Sequence, residues 1–191
     1  MIDYYENKKI AIVAADGFEQ VELTSPLDAL KKEGAEIHVI SIKSGEITGF
    51  NHMERGDSIK VEKEIADADI NDYDGVVIPG GLFNPDALRR DEKVIAFVRS
   101  AFAKKLPVAA ICHGPQVLIT AEVVKGRKMT GFSAIQPDLK NAGAEVSDEE
   151  VVVDHGLVTS RNPDDLPAFN KKMIEEFCEG EHARQKKSIA A

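Results

Sequence analysis

The segment Lys105-Leu106-Pro107-Val108-Ala109-Ala110-Ile111-Cys112-His113-Gly114-Pro115-Gln116-Val117-Leu118-Ile119-Thr120-Ala121 reads as a buried strand that breaks into a helix, with a cysteine at the hinge. Val108 to Ile111 is a short apolar run that follows a proline and stops abruptly, the pattern of a strand covered on both faces. A helix opens near Gly114 and Pro115. Proline suits a first turn because its missing N–H would have no intrahelical partner there, and Gly114 permits close approach to the strand. The Cys112 thiol is therefore expected to face unsatisfied N–H groups and the positive end of a helix dipole, which favour thiolate and a lowered pKa. A free cysteine is more commonly a small buried hydrophobe. The His113-Gly114-Pro115 that follows turns the reading towards a nucleophile.

Outward from this hinge, apolar strands alternate with helical segments. Lys9 to Ala14 is a β-branched run followed by the turn residues Asp16-Gly17, and a helical pattern extends from about Ser25 to Glu33, stopped by Gly34. Glu36 to Ile42 predicts a second strand, and Asp74 to Ile78 a third that ends at Pro79-Gly80-Gly81. Ser44 to Glu64 reads as a small hairpin appended to the sheet. A helix over about Glu92 to Lys104 precedes the Cys112 strand, and Lys128 to Phe132 is a further strand. Val151 to Val153 and Leu157 to Ser160 form a hairpin through Asp154-His155-Gly156, with a helix from about Asp164 to Phe177. Residues 179–191 read as a mobile tail on a single domain whose core spans about 8–178. The alternation implies an α/β fold, a mostly parallel sheet with helices on both faces, whose ligand sites lie beyond the carboxyl ends of the strands.

Three segments end at that edge: 16–22, 79–86 and Cys112-His113. Glu22 is placed in an approach loop, with Pro26 in the first helical turn, so that its carboxyl shares a proton with the thiol. Glu19 reads as a solvated loop glutamate. Gly80 and Gly81 offer unobstructed N–H groups for an oxyanion, and the His113 amide is a second donor. The His113 side chain is expected to diverge from its own Cys112 across the sharp turn, which makes its role depend on a partner. His38, His52, His155 and His182 have no metal-site spacing, and Cys178 beside Phe177 reads as a packing thiol.

With 191 residues and 43% hydrophobic content the chain can bury a full core without a linker. A formal net charge of −9 with no basic stripe argues against nucleic acid. There is no signal-like N-terminus or membrane-length apolar run, so a soluble cytoplasmic protein with no membrane partner is expected. Two cysteines, Cys112 and Cys178, are too few for a disulfide framework.

Residues 110–116, 17–23, 79–81 and 158–167 together resemble the PfpI family of the ThiJ/PfpI superfamily, over roughly Lys8 to Phe177. The resemblance implies a flavodoxin-like three-layer sandwich with a cysteine nucleophile elbow, a homodimer or higher homo-oligomer, and a stress-linked role. It implies that Cys112 is the nucleophile, that Glu22 contacts it, and that His113 pairs, in a peptidase, with an acid from a neighbouring subunit, matched here by Asp86.

The family's peptidase, glyoxalase and deglycase activities leave the reaction open. A thiolate attacking an α-oxoaldehyde such as methylglyoxal needs neither metal nor organic cofactor, only a group such as Glu22 or His113 to move a proton. Peptide hydrolysis also requires a well-aimed acid and a cleft for an extended chain, so the small-aldehyde or glycated-protein substrate is the favoured expectation. A cysteine peptidase is the alternative. A redox-sensing or chaperone-like stress protein, signalling through Cys112 oxidation, is a third. The glutamine amidotransferase arrangement is not supplied, because His155-Gly156-Leu157 lacks a His-x-Glu pair.

Overall fold

In a computed structural model, which describes Tyr5 and residues 8–179, strands and helices alternate along the chain. The first half contains β1 (Lys9–Val13), β2 (Phe18–Glu19), α1 (Gln20–Lys32), β3 (Glu36–Ser41), β4 (Glu46–Asn51), β5 (Glu54–Lys60) and β6 (Lys63–Glu64). The middle contains β7 (Gly75–Ile78), α2 (Phe83–Arg89), α3 (Glu92–Ala103), β8 (Val108–Ile111) and α4 (Pro115–Thr120). The remainder contains β9 (Lys128–Met129), α5 (Gln136–Asn141), β10 (Glu145–Val146), β11 (Val152–Asp154), β12 (Leu157–Ser160) and α6 (Leu166–Glu179). The tail expected over 179–191 lies, beyond Glu179, outside the described residues.

The main sheet runs β11-β12-β8-β7-β1-β3-β6, and every neighbouring pair is parallel except β11–β12. β7 and β8 are buried at every position, as their uninterrupted apolar sequences require. Alternate strand residues feed two apolar clusters on opposite faces. Ala11, Val76, Ile78 and Ala110 meet α3 and its Val98 and Phe102 on one side; Ile10, Ile12, Val77 and Ala109 meet Phe169, Met173 and Phe177 of α6 on the other. This is the expected α/β sandwich. No helix among the described residues is long and apolar enough to cross a membrane.

Several local expectations change. Helix α1 begins at Gln20 rather than Ser25, so Pro26 lies inside it and Glu22 sits in its first turn instead of an approach loop. Proline at that position leaves the Glu22 carbonyl without the usual N–H from four residues on, a local cost that the buried packing of Leu23, Pro26 and Leu30 offsets. The β4–β5 hairpin joins β2 in a separate three-stranded sheet rather than extending the main one. The strand expected over 128–132 shrinks to two residues paired with β10. The 79–86 loop contains the start of an unforeseen helix, α2.

Candidate active site

The carboxyl ends of β1, β7 and β8 converge on one cleft of about 800 Å³. Cys112 follows β8 with φ of 61°, a left-handed conformation uncommon for a side chain other than glycine. The turn is fixed from both sides. Cys112 N–H donates to the Ser160 carbonyl at 3.0 Å, and Phe132 N–H donates to the Cys112 carbonyl at 2.9 Å. The next turn passes so close to β7 that a Cβ on Gly114 would lie 2.6 Å from the Ile78 carbonyl oxygen. The thiol projects into the cleft with the residue only 6% exposed.

Glu22 reaches the same point from α1 and is fully buried. Its Oε2 accepts the Gly80 N–H at 2.9 Å, while the buried Oε1 has no regular hydrogen-bond partner. A Cβ on Gly80 would lie 2.5 Å from Glu22 Oε2 and 2.7 Å from Cys112 Cβ, so both side chains close over this glycine. Burial pushes the Glu22 carboxyl up to about 8, with Glu19 adding a smaller push, against lowering by Cys112 and the Gly80 N–H.

The Cys112 thiol is pushed upward too. Burial comes first and the Glu22 carboxylate second, and together they outweigh the N–H groups of Gly81 and His113 that favour thiolate. The lowered pKa expected from the helix terminus is therefore reversed. α4 has only six residues, and a buried carboxylate beside the sulfur is the stronger field. Thiol and carboxyl form one coupled unit that, between its two ionisations, holds one proton and one negative charge.

His113 does not diverge from its cysteine as expected. Its Nδ1 lies 3.3 Å from Cys112 Sγ, and its ring stacks on Phe132 with centroids 4.6 Å apart. Burial lowers the pKa of His113, which favours a neutral imidazole able to exchange a proton with sulfur.

The glycines divide their work. The Gly80 N–H is taken by Glu22 and its carbonyl by Asn84 Nδ2 at 3.0 Å, whereas the Gly81 and His113 N–H groups act on the sulfur. Gly81 has φ of 88°, and a Cβ there would run into the Gly17 carbonyl. Asp86 is not brought to the thiol within the chain. It sits in the first turn of α2, its side chain 68% exposed, 4.0 Å from Arg90, and outside the cleft lining.

Sequence reasoning missed the walls. Phe50, His52 and Met53 from the β4–β5 hairpin, Phe83 from α2, and Asn162-Pro163-Asp164 beyond β12 complete the cleft. The last three fall in the segment that carried part of the family resemblance; the hairpin residues gave no signal, because only the β2–β4 pairing brings them over the site. Glu19 also lines the cleft, accepting the His52 N–H at 3.1 Å.

A DJ-1/PfpI family profile matches residues 8–176. The chain is 46% identical over 169 residues to YraA of Bacillus subtilis, which carries the provisional name of a cysteine protease, covering 88% of this chain and 97% of that one. It is 45% identical to a deglycase of Thermococcus kodakarensis, covering 87% and 97% of the two chains, and 45% identical to protein/nucleic acid deglycase 2 of Escherichia coli, covering 88% and 96%. Among solved structures, Drosophila melanogaster DJ-1beta superposes with a TM-score of 0.81 at 27% identity over 95% of this chain and 92% of that one. An Anabaena variabilis protein with DJ-1/ThiJ/PfpI-like and ferritin-like domains superposes at 0.85 with 35% identity, over 96% of this chain but 52% of its own.

Proposed function

The chain belongs to the DJ-1/PfpI family, and from that premise we propose that it is a cofactor-independent enzyme that uses Cys112 against α-oxoaldehydes such as methylglyoxal, or their adducts on proteins. The observation that carries this reading is the coupling of Cys112 to the buried Glu22 carboxyl beside the Gly81 and His113 N–H groups. In the singly ionised Cys112–Glu22 pair, passage of the remaining proton from sulfur to the Glu22 carboxylate generates the thiolate at the moment of attack, so a depressed resting thiol pKa is unnecessary. Sulfur adds to the aldehyde carbon, the carbonyl oxygen takes a proton, and a hemithioacetal forms. Glu22 or His113 then removes the proton from that carbon and returns one to the neighbouring carbonyl carbon, while the hemithioacetal hydroxyl gives up its proton and the neighbouring oxygen gains one, giving a 2-hydroxy thioester. Water cleaves the thioester, releasing a 2-hydroxy acid and the free thiol. On an aminocarbinol adduct of the aldehyde, Sγ bonds to the carbon that carries nitrogen as the C–N bond breaks, the amine leaves with a proton supplied by Glu22 or His113, and the same hemithioacetal results.

The test is turnover of methylglyoxal and of a glycated model amine by the purified protein. Cys112→Ala is expected to abolish both reactions and Glu22→Gln to lower kcat by at least 100-fold. Turnover that survives Cys112→Ala would overturn the reading. A second reading, a cysteine peptidase, is favoured by the 3.3 Å contact of Cys112 with His113. It requires an orienting acid for His113, which we assign to Asp86 of a second copy, exposed beside Leu82 and Phe83 on the cleft rim. Hydrolysis of an unmodified peptide without aldehyde turnover would select this reading.

A further inference from the structure

The cleft has an electrical bias that its chemistry with thiols does not require. Among the described residues its lining contains Glu19, Glu22 and Asp164 but no lysine or arginine. Neither Glu19 nor Asp164 has an ion-pair partner among the described residues: Glu19 accepts the His52 N–H, and Asp164 only donates its own N–H to Asn162 Oδ1 at 2.9 Å. The nearest cation by sequence, Arg161, is held by Asp165 through two 2.9 Å contacts and by Asp148 at 3.2 Å, which neutralises it. Buried Glu22, coupled to the Cys112 thiol, is the third acidic residue of the lining. The walls are aromatic: Phe50 and Phe83 meet with centroids 6.0 Å apart, and Phe132, stacked on His113, also lines the cleft. Carboxylates and aromatic rings sharing one lining, with no lysine or arginine in it, form a receptor for positive charge. The net charge of −9 adds a long-range field of the same sign.

We propose that the cleft selects carbonyl groups borne on cationic carriers and rejects carboxylate-bearing ones, with Glu19 and Asp164 as its specificity-determining residues. For turnover this rests on the enzymatic reading above, since it names the carrier that Cys112 attacks. The binding bias itself stands on the lining alone. A 2-oxo acid would bring its anion against two carboxylates, whereas an ammonium or guanidinium group beside the carbonyl would meet them favourably.

The experiment separates the bias from catalysis by trapping Cys112 with methanethiosulfonates of similar size, a trimethylammonium-ethyl and a sulfonatoethyl reagent, on a Cys178→Ser background. In each reaction Sγ bonds to the reagent's sulfenyl sulfur and methanesulfinate leaves, so no turnover is needed. Relative to a neutral small thiol, the cationic reagent is expected to react at least about tenfold faster than the anionic one, with the ratio falling as salt rises. Glu19→Gln retains the acceptor for the His52 N–H, and it and Asp164→Asn are each expected to reduce the ratio roughly threefold. Neutral methyl methanethiosulfonate reports damage to the thiol itself, because a disturbed site slows all three reagents while leaving the ratio intact. A ratio near that of the free thiol, or one unchanged by both substitutions and by salt, overturns the proposal. A parallel turnover assay uses phenylglyoxals carrying a para trimethylammonium or a para carboxylate group. A trapping bias without turnover of either would sink the enzymatic reading alone, and equal turnover of both would sink the selectivity alone.

Discussion

Glu22 is the residue whose environment departs furthest from that of an ordinary surface acid, and its effect is on stability as well as chemistry. Its carboxyl titrates at about 8 in the fold against an ordinary 4.5. The native protein therefore holds a proton that the unfolded chain has lost between those values, and stability must fall as pH rises through that window. The loss is on the order of 5 kcal/mol once both limits are passed. Glu22→Gln keeps an acceptor for the Gly80 N–H and has no charge to bury, so its denaturation free energy is expected to lose the fall that Glu22 causes between about pH 5 and 8 and to exceed the wild type at pH 9. Urea titrations at several pH values check this; a wild-type profile that rises with pH would contradict it. Gly80→Ala acts at the same point, forcing a methyl against Glu22 Oε2 and Cys112 Cβ. It is expected to abolish alkylation of Cys112 by iodoacetamide at neutral pH, or to slow it at least tenfold, as mass spectrometry would show. The position of the nucleophile was legible because an apolar strand, a cysteine and Gly-Pro leave the chain few ways to turn. Its ionisation was not, because it is set by burial and by a carboxyl 90 positions away in sequence.

At the scale of the elements, the buried parallel strands were readable from composition alone, since β1, β7 and β8 carry apolar residues on both faces. Elements that depend on tertiary contacts were not. Pro79-Gly80-Gly81 and Asn84-Pro85 look like loop residues, yet α2 starts at Phe83, because Asn84 is fully buried and hydrogen-bonded on all sides. Its Oδ1 accepts the Ala15 N–H at 2.7 Å and its Nδ2 donates to the Pro79 and Gly80 carbonyls at 2.7 and 3.0 Å. One side chain thus ties the end of β1 to the loop after β7. Asn84→Ala strands the Ala15 N–H and the Pro79 carbonyl and leaves the Gly80 carbonyl with only the Glu19 N–H at 3.3 Å, so a loss of about 3 kcal/mol is expected in chemical denaturation, with turnover falling further than stability because the Gly80 loop loses its hold on Glu22. Asn84→Asp, which keeps the acceptor but not the donors, should recover only part of the loss. The early start of α1 was hidden in a similar way: Pro26 looks like a first-turn residue, and only the packing beneath it extends the helix back to Gln20.

For the whole molecule, the sheet order places β1 between β3 and β7, so the chain reverses its winding direction beside the first strand and opens the crevice that the site occupies. That much followed from the alternation of elements, but the separate sheet of β2, β4 and β5, which roofs the crevice, did not. Exposed Leu82 and Phe83 on the rim, with Asp86 one turn beyond, underlie the proposed sharing of a site between copies. Mixing inactive Cys112→Ala protein with an impaired Asp86→Ala protein is then expected to restore up to about a quarter of wild-type activity in hybrid dimers, since one site in a hybrid keeps both groups. Proven subunit exchange with no gain would defeat the sharing while leaving the Cys112–Glu22 chemistry intact. The borders of the sheets constrain how such copies can meet. The main sheet ends on one side at β6, only the two residues Lys63 and Glu64, and the small sheet ends at β5, which carries Glu54, Arg55, Asp57 and Lys60. Borders so short or so heavily charged are poor templates for strand addition, so these two flanks resist the runaway stacking that leads to fibrils and leave association to side-chain surfaces that can close on themselves.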